Sequence, residues 1–454
     1  MKKLRTKGQI TVYAMSGMGI NLLNTMMGSY LCSALLVGGF SGDAVKFQTY
    51  AQRDLVVAAL WASFVLVSKI IDGVIDIPMA ALTDGLRTKW GRRRPSLLLG
   101  LAPLLLSYVF FLFIPQPSGA TVFNTVYYGV MLCVFYTSYT LTMVTYYATY
   151  TEILENERQR SLMSNVKSVC DIVYFILGFV VVRMLLNGLN IRVVALIVLP
   201  LSATMLIPFF MIKEPSNKDA PKEKTKSLHL FPSLRHTLKN ADFVKWMIVY
   251  SFMTFGVQLF LGGINEYFSF VGMNMIYVMC AAFAPVPFTL ILFNKIQKSF
   301  GFGAAFRYIL IIFSVGMLAM FGTGFAPDGA VKLALSIVTG LISSFAIGAM
   351  FAVAYSIPSQ LAAEEEEKSG VSNSAMYFAV QGLFAGVASG IATGVVLVAL
   401  KKGSENGGNA MTYMTVICAA GALVSLALTF ILPKSLLTLG KKSNVNKDQG
   451  GNIS

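Results

Sequence analysis

Apolar residues gather along this chain into twelve runs, and the stretches between them are polar and mostly short. The runs cover approximately 9–38, 54–83, 95–115, 121–152, 161–187, 191–212, 242–270, 272–297, 304–327, 330–361, 371–400 and 409–435. Each is at least ~20 residues, the length an α-helix needs to cross a bilayer core about 30 Å thick. The pattern predicts twelve membrane-crossing helices and an all-α integral membrane fold. One polar stretch exceeds the rest: Glu214 to Asn240, containing Pro221-Lys-Glu-Lys-Thr-Lys226, reads as a solvated linker. It divides the chain into an N-terminal six-helix half (1–213), a cytoplasmic linker (214–241), a C-terminal six-helix half (242–436) and a tail (437–454). The tail is polar and rich in Asn and Gly, the composition of a disordered segment.

The halves read as a repeat. After the second run Asp84 precedes Gly91 by seven residues, with Trp90 before the glycine and Pro78 upstream. After the eighth run Asn294 precedes Gly301 by seven, with Phe300 before the glycine and Pro287 upstream. Two six-helix halves joined by a linker are the layout of major facilitator transporters, whose sites lie at mid-membrane between the halves.

Composition agrees: 56% of the 454 residues are hydrophobic, 13% are charged and the mean hydropathy is +0.67. A formal charge of +15 raises nucleic acid as a partner. Most of the 36 Lys and Arg residues instead fall at the ends, in the linker and in alternate loops, as orientation signals do. The expectation is a multi-pass protein of the cell membrane with both termini cytoplasmic and no nucleic-acid partner. The five cysteines (Cys32, Cys133, Cys170, Cys280 and Cys418) lie in apolar runs without CxxC spacing and read as packing residues. The two histidines, His229 and His236, lie in the linker and read as solvated. The first run is too long for the apolar core of a cleavable signal. No nucleotide loop, catalytic triad or metal cluster is legible, so no enzyme and no cofactor are expected.

The chemistry concentrates in the second run, at Lys69-Ile-Ile-Asp72-Gly-Val-Ile-Asp76-Ile-Pro78. Ionisable side chains at bilayer depth cost roughly 2.5–3.5 kcal/mol on insertion scales and are functional candidates by default. Helical spacing puts Lys69, Asp72 and Asp76 on one face. Two carboxylates beside one ammonium leave a surplus negative charge, which a monovalent cation or a proton completes. A structural ion pair is the competing reading, but it has no use for that surplus. Beyond the run, Asp84 and the loop Gly91-Arg92-Arg93-Arg94-Pro95 form a candidate cytoplasmic gate, and equally a positive-inside anchor.

Candidate solute residues are spread more widely. The first run carries Asn21 and Asn24 among Gly17, Gly19 and Gly28. The fourth is hydroxyl-rich, from Tyr136 through Thr145 and Tyr147 to Thr151, and aromatic faces with hydroxyl tips suit sugars. The fifth holds Lys167 and Asp171, four apart and able to pair with each other. Glu266 interrupts the seventh run and Gln381 the Gly-rich eleventh.

The motif Lys69-x-x-Asp72-x-x-x-Asp76-x-Pro78, the Gly91-Arg-Arg-Arg-Pro95 loop and the order of runs resemble the glycoside–pentoside–hexuronide:cation symporter family, the melibiose permease group. The resemblance implies that Asp72 and Asp76 bind a coupling Na⁺, Li⁺ or H⁺, with Lys69 as the basic neighbour. It implies solute roles for Lys167, Gln381 and Tyr147. Asn21 stands where members with a characterised galactoside site carry an acid, Met143 falls near their second acid, and Gly386 stands where they carry a lysine. The cation site is kept while the galactoside site is rewritten.

The expected function is cation-coupled (Na⁺ or H⁺) symport of a small hydroxylated solute, a glycoside or oligosaccharide, by a protein that needs only one chain in the lipid bilayer. A non-sugar amphiphile such as a lysophospholipid is the alternative solute. A non-transporting membrane sensor is the alternative of another class.

Overall fold

A computed structural model describes residues 6–154, 157–216, 218, 235, 237–369 and 374–438. The described residues are helical throughout, with a single isolated β-bridge between Val56 and Thr121. Twelve spans cross the bundle: span 1 (7–35), span 2 (58–85), span 3 (Arg93–Phe111), span 4 (Val122–Ile153), span 5 (157–185) and span 6 (Ile191–Met211) form the first half. Span 7 (Ala241–Phe270), span 8 (275–300), span 9 (Phe302–Gly324), span 10 (Ala330–Ser369), span 11 (374–402) and span 12 (Ala410–Ile431) form the second. The linker between the halves lies largely outside the described residues, as does the tail beyond residue 438.

Among the described residues seven spans are long and apolar enough to cross a bilayer by length and composition alone: 3, 6, 7, 9, 10, 11 and 12. The other five are 1, 2, 4, 5 and 8. Span 1 breaks at Ser16–Gly17 and passes through a π-helical turn at Met27–Leu31. Span 2 breaks at Ile75, because Pro78 has no N–H to give the Val74 carbonyl and its ring crowds that carbonyl. Span 8 breaks likewise before Pro285 and Pro287. Span 4 is rich in hydroxyls and span 5 begins in a charged turn. Polar or broken helices are tolerated in a membrane where they line a cavity or are buried in protein, and of these five, spans 1, 2, 4 and 5 border the central cavity.

The repeat is visible in the backbone. Gly91 (φ +81°) and Gly301 (φ +92°) turn the chain after spans 2 and 8, in a region that costs other residues about 1–2 kcal/mol. Each sits against the end of the last span of its half: a Cβ on Gly91 would strike Glu214, and one on Gly301 would strike Leu437 and Thr438. Arg94 packs over the Phe209 ring of span 6, and Arg307 of span 9 over the Phe430 ring of span 12. Spans 5 and 11 carry matching π-helical turns at Leu177–Val181 and Ile391–Val396.

Two features join the halves. One is a seam between spans 2 and 11 in which backbone lies on backbone. Cβ atoms added at Gly73, Gly386 and Gly394 would fall 2.4 Å from the Gly382 carbonyl oxygen, 2.4 Å from that of Lys69 and 2.8 Å from that of Ala62. The other lies at the end of the bundle opposite the termini, here called the distal end. There Ser41 donates to the Ser269 carbonyl (2.9 Å), Arg183 to Asn265 Oδ1 (2.9 Å) and Lys401 to the Ser33 carbonyl (2.9 Å), while Lys402 pairs with Asp54. Because Gly386 lies on the Lys69 carbonyl, Gly386→Val is expected to push span 2 off span 11. The thermal midpoint in detergent should fall by several degrees, the scale of about 1–3 kcal/mol for overpacking. An unchanged midpoint would show the seam to be compliant.

Candidate functional site

Asp72 occupies the last turn of the first segment of span 2, and Asp76 opens the second segment. The two acids straddle the Pro78 break and do not lie along one unbroken helix face. Asp72 turns toward span 4 and accepts a hydrogen bond from Thr140 Oγ1 at 3.1 Å. Asp76 is exposed, and neither a hydrogen bond nor an ion pair reaches it among the described residues.

Lys69 does not neutralise these acids by direct pairing. Its ammonium sits 4.0 Å from the centre of the Tyr136 ring, and among the described residues no carboxylate lies within ion-pair distance of it. Burial strengthens a cation–π contact of this kind, because water no longer competes. Two carboxylates and the Thr140 hydroxyl are thus oxygen donors without a resident metal-type cluster: among the described residues no group of three His, Cys, Asp or Glu converges.

Span 4 organises the neighbourhood through one stripe. Tyr136, Tyr139, Thr140 and Tyr147 recur at intervals of three, one and seven, so they share a helix face. Tyr136 meets Lys69, Tyr139 donates to Asn21 Oδ1 (3.0 Å), Thr140 meets Asp72, and the Tyr147 ring lies 5.5 Å from the Lys167 ammonium. Lys167 pairs with Asp171 at 2.6 Å, both about one-third exposed. Tyr139 thus joins Asn21 of span 1 to span 4, while Tyr147, about two turns further along, meets the Lys167–Asp171 pair of span 5.

Above Lys69 a cavity of about 250 Å³ lies between the halves. Spans 1, 2 and 4 contribute Asn24, Ser29, Ser33, Trp61, Lys69 and Tyr136. Span 5 adds Tyr174, Phe175 and Phe179, and spans 7 and 11 close the far wall with Gln258, Thr393 and Lys401. The cavity is near the small end of ligand pockets, which run from roughly 300 Å³ upward.

None of the seven expected solute residues lines this cavity: Asn21, Tyr147, Lys167 and Asp171 stand at the contacts among spans 1, 4 and 5, and the other three stand elsewhere. Thr145 is buried and its hydroxyl returns to the Leu141 carbonyl of its own helix (2.7 Å), the usual way a membrane helix satisfies a threonine. Gln381 receives the Trp246 indole N–H (3.1 Å). Glu266 is 0% exposed and pairs with Lys401 at 2.9 Å, so it backs the cavity wall without lining it. Asn24, singled out in the first run, does line the cavity, while Ser29, Ser33, Gln258, Thr393 and Lys401 were not anticipated. The signal available was the run of small and polar residues on span 1 at 24, 25, 28, 29, 32 and 33, one stripe at helical spacing.

The expected gate is tied within its own half. The Arg93 backbone N–H donates to Glu214 (2.8 Å), its guanidinium to Thr83 (3.4 Å), and Arg94 Nε to the Phe209 carbonyl (3.0 Å). Arg92 is half-buried in the same loop beside Gly91. Asp84 lies in the second segment of span 2, and its side chain is outside the described residues.

A second cleft, about 600 Å³ and apolar, opens between spans 7, 11 and 12 around Phe252, Phe384 and Ile417. It shares no lining residue with the central cavity.

Twelve spans in two repeated halves around a mid-bundle cavity define an integral membrane protein of the major facilitator fold, the architecture of membrane transporters. The chain belongs to the MFS/sugar transport protein family, whose model matches residues 12–432 and covers symporters of the glycoside–pentoside–hexuronide:cation type. It is 28% identical over 257 residues to the uncharacterized symporter sll1374 of Synechocystis, a match spanning 54% of this chain and 42% of that protein's length. Among solved structures it resembles a point mutant of the nucleoside transporter NupG (TM-score 0.64, 13% identity, 94% of this chain and 100% of that one). It also resembles a bacterial homologue of the iron transporter ferroportin (TM-score 0.60, 11% identity, 94% and 99%). A third is a bacterial homologue of the human lysosomal transporter Spinster (TM-score 0.59, 12% identity, 96% and 99%). At these identities the likeness shows the fold alone.

Proposed function

We propose that this transporter is a cation-coupled symporter of a small hydroxylated solute, a glycoside in the first instance. The coupling Na⁺ or H⁺ binds at Asp72 and Asp76 and the solute in the central cavity. The observation that carries the reading is the state of the two carboxylates. Asp72 has one neutral hydrogen-bond donor from Thr140, and Asp76 has no donor among the described residues. Their basic neighbour faces the cavity instead. Lys69 touches both sites, since it precedes Asp72 by one helical turn and lines the solute cavity.

A cation on Asp72 releases Lys69 from the pull of that carboxylate and leaves its donors to the solute. By linkage, the solute raises cation affinity by the same factor. The distal ties hold the cavity shut on one side, and rocking of the halves about spans 2 and 11 exchanges access. With the termini cytoplasmic, as the Lys and Arg distribution favours, the distal end is extracellular and the protein sits in the cell membrane. One chain suffices for this cycle. The apolar cleft between spans 7, 11 and 12 favours a second solute class, an amphiphile whose acyl chain lies in it.

The test loads purified protein into vesicles and follows uptake of a glycoside panel, with a lysophospholipid control, under an imposed Na⁺ or H⁺ gradient. Uptake of a glycoside on one gradient is the expected result. Uptake of the lipid alone would move the solute to the apolar cleft, and uptake indifferent to either gradient would remove the cation coupling.

A further inference from the structure

A second polar cavity, of about 250 Å³, lies at the distal end and is shared by the two halves. The first half supplies Arg183 from the end of span 5 and Asn187 from the turn after it. The second half supplies Gly272, Met273, Asn274, Met275 and Ile276, where the chain passes from span 7 to span 8. No residue is common to this cavity and the central one, and no carboxylate lines it among the described residues.

Arg183 is a half-buried cation within a membrane span, a position that calls for a partner. Its Nη1 donates to Asn265 Oδ1 (2.9 Å), and among the described residues no carboxylate lies within ion-pair distance of it. The acid beside Asn265, Glu266, is taken by Lys401 at 2.9 Å. A guanidinium carries five N–H donors in a planar fork that matches an oxyanion, so Arg183 has donors to spare in the cavity it lines. The rest of the wall adds donors. The backbone N–H groups of Gly272, Asn274 and Met275 and the side-chain amide of Asn187 have no acceptor among the described residues. The side-chain oxygen of Asn274 is already turned to the Ile276 N–H (3.0 Å). A second cation stands behind the loop: a Cβ on Gly272 would lie 3.6 Å from the ammonium of buried Lys332, whose partner Asp328 is exposed to solvent. The last carbonyls of span 5, which would repel an anion, are bonded within the turn: Met184 accepts from the Asn187 N–H (3.3 Å), and Leu185 from those of Gly188 (3.2 Å) and Leu189 (2.9 Å).

The geometry points to a site for a phosphate- or sulfate-like oxyanion, held by Arg183, that clasps the two halves together at the distal end. The anion is not the transported solute, and the site stands whatever the solute and the coupling ion are. Its donors come from span 5 on one side and from the segment between spans 7 and 8 on the other, so they converge only while the distal end is closed. A bound oxyanion therefore favours the closed arrangement by its difference in affinity between the two states, and opening releases it. It adds to the direct tie from Arg183 to Asn265, which already crosses the same boundary.

The test titrates inorganic phosphate and sulfate into the protein in phosphatidylcholine nanodiscs by calorimetry, against chloride at equal ionic strength. Saturable binding of both oxyanions at a single site is expected. Arg183→Gln should weaken it roughly tenfold to a hundredfold, the worth of a hydrogen bond to a charged group. Asn187→Asp places a carboxylate in the same cavity from an exposed turn, where the new charge stays solvated if the fold is unchanged. It should weaken phosphate to a similar extent, which keeps the test alive if Arg183→Gln fails to fold. In phosphatidylcholine vesicles, a variant whose only cysteine is the cavity residue Cys32 reports distal opening to a membrane-impermeant maleimide applied from the distal face. Saturating phosphate on that face should slow labelling at least about fivefold, the low end of coupling between linked sites. Asn187→Asp in that background should label slowly without phosphate. Adding phosphatidylglycerol to the vesicles separates two sources of the anion: a phosphate response abolished by that lipid assigns the site to a headgroup, and one unchanged by it to the free ion. Oxyanions that bind no better than chloride, or that bind either variant as tightly as the parent, would overturn the site. Labelling of Cys32 that bound phosphate leaves unchanged would overturn the clasp.

Discussion

Asp72→Asn should abolish cation-dependent uptake while the protein still inserts and folds. Asparagine keeps the size of the side chain and can still accept from Thr140, so packing is preserved and only the charge is lost. Removing one partner of a buried charged set costs about 3–5 kcal/mol, and about 1.4 kcal/mol is a factor of ten. The apparent cation affinity should therefore fall by two to three orders of magnitude, roughly, on that scale. Thr140→Val removes one hydrogen bond to a charged group and should cost about 1.5–3 kcal/mol, a milder loss in the same direction. Both are read from the cation concentration giving half-maximal uptake in vesicles, with protein quantity matched. Cation-stimulated uptake at parental affinity in Asp72→Asn would make the acids structural.

The second large effect is expected at the distal wall. Lys401 is 2% exposed and Glu266 0%, and among the described residues Glu266 Oε2 already lacks a hydrogen-bond partner. Lys401→Met strands that carboxylate, at a cost of about 3–5 kcal/mol, and also cuts the tie to Ser33 across the halves. The distally closed arrangement should lose population. Cys32, which lines the cavity, should become labelled by a membrane-impermeant maleimide applied from the face opposite the termini, in a variant where it is the only cysteine. Pairing the change with Glu266→Gln should restore stability and part of the shielding, because no buried charge is then left alone. A single Lys401→Met variant as stable and as shielded as the parent would show that the distal ties do not depend on this ion pair.

The interplay of the two sites explains why the sequence was informative in some places and silent in others. The twelve spans were legible because bilayer thickness sets helix length, a local constraint written in consecutive residues. Asp72, Asp76 and Lys69 were legible because charge in an apolar run is expensive and needs a reason. The repeat was legible at Gly91 and Gly301, where backbone turns need φ values that glycine adopts freely.

Spacing alone did not reveal which faces meet. Asp72 and Asp76 share a helical register on paper, yet Pro78 breaks the span between them and Thr140 of another helix claims only the first. Of the hydroxyls on span 4, those at 136, 139, 140 and 147 face the site, while Thr145 bonds to its own backbone. Glu266 reads as a free acid until Lys401, 135 residues away, is folded onto it. Periodicity and insertion cost are properties of neighbouring residues, so the sequence by itself determined the membrane fold, the two halves and the candidate cation pair. Pairing across spans depends on how helices pack, so only the tertiary structure decided which polar groups are satisfied and which are left facing the cavity.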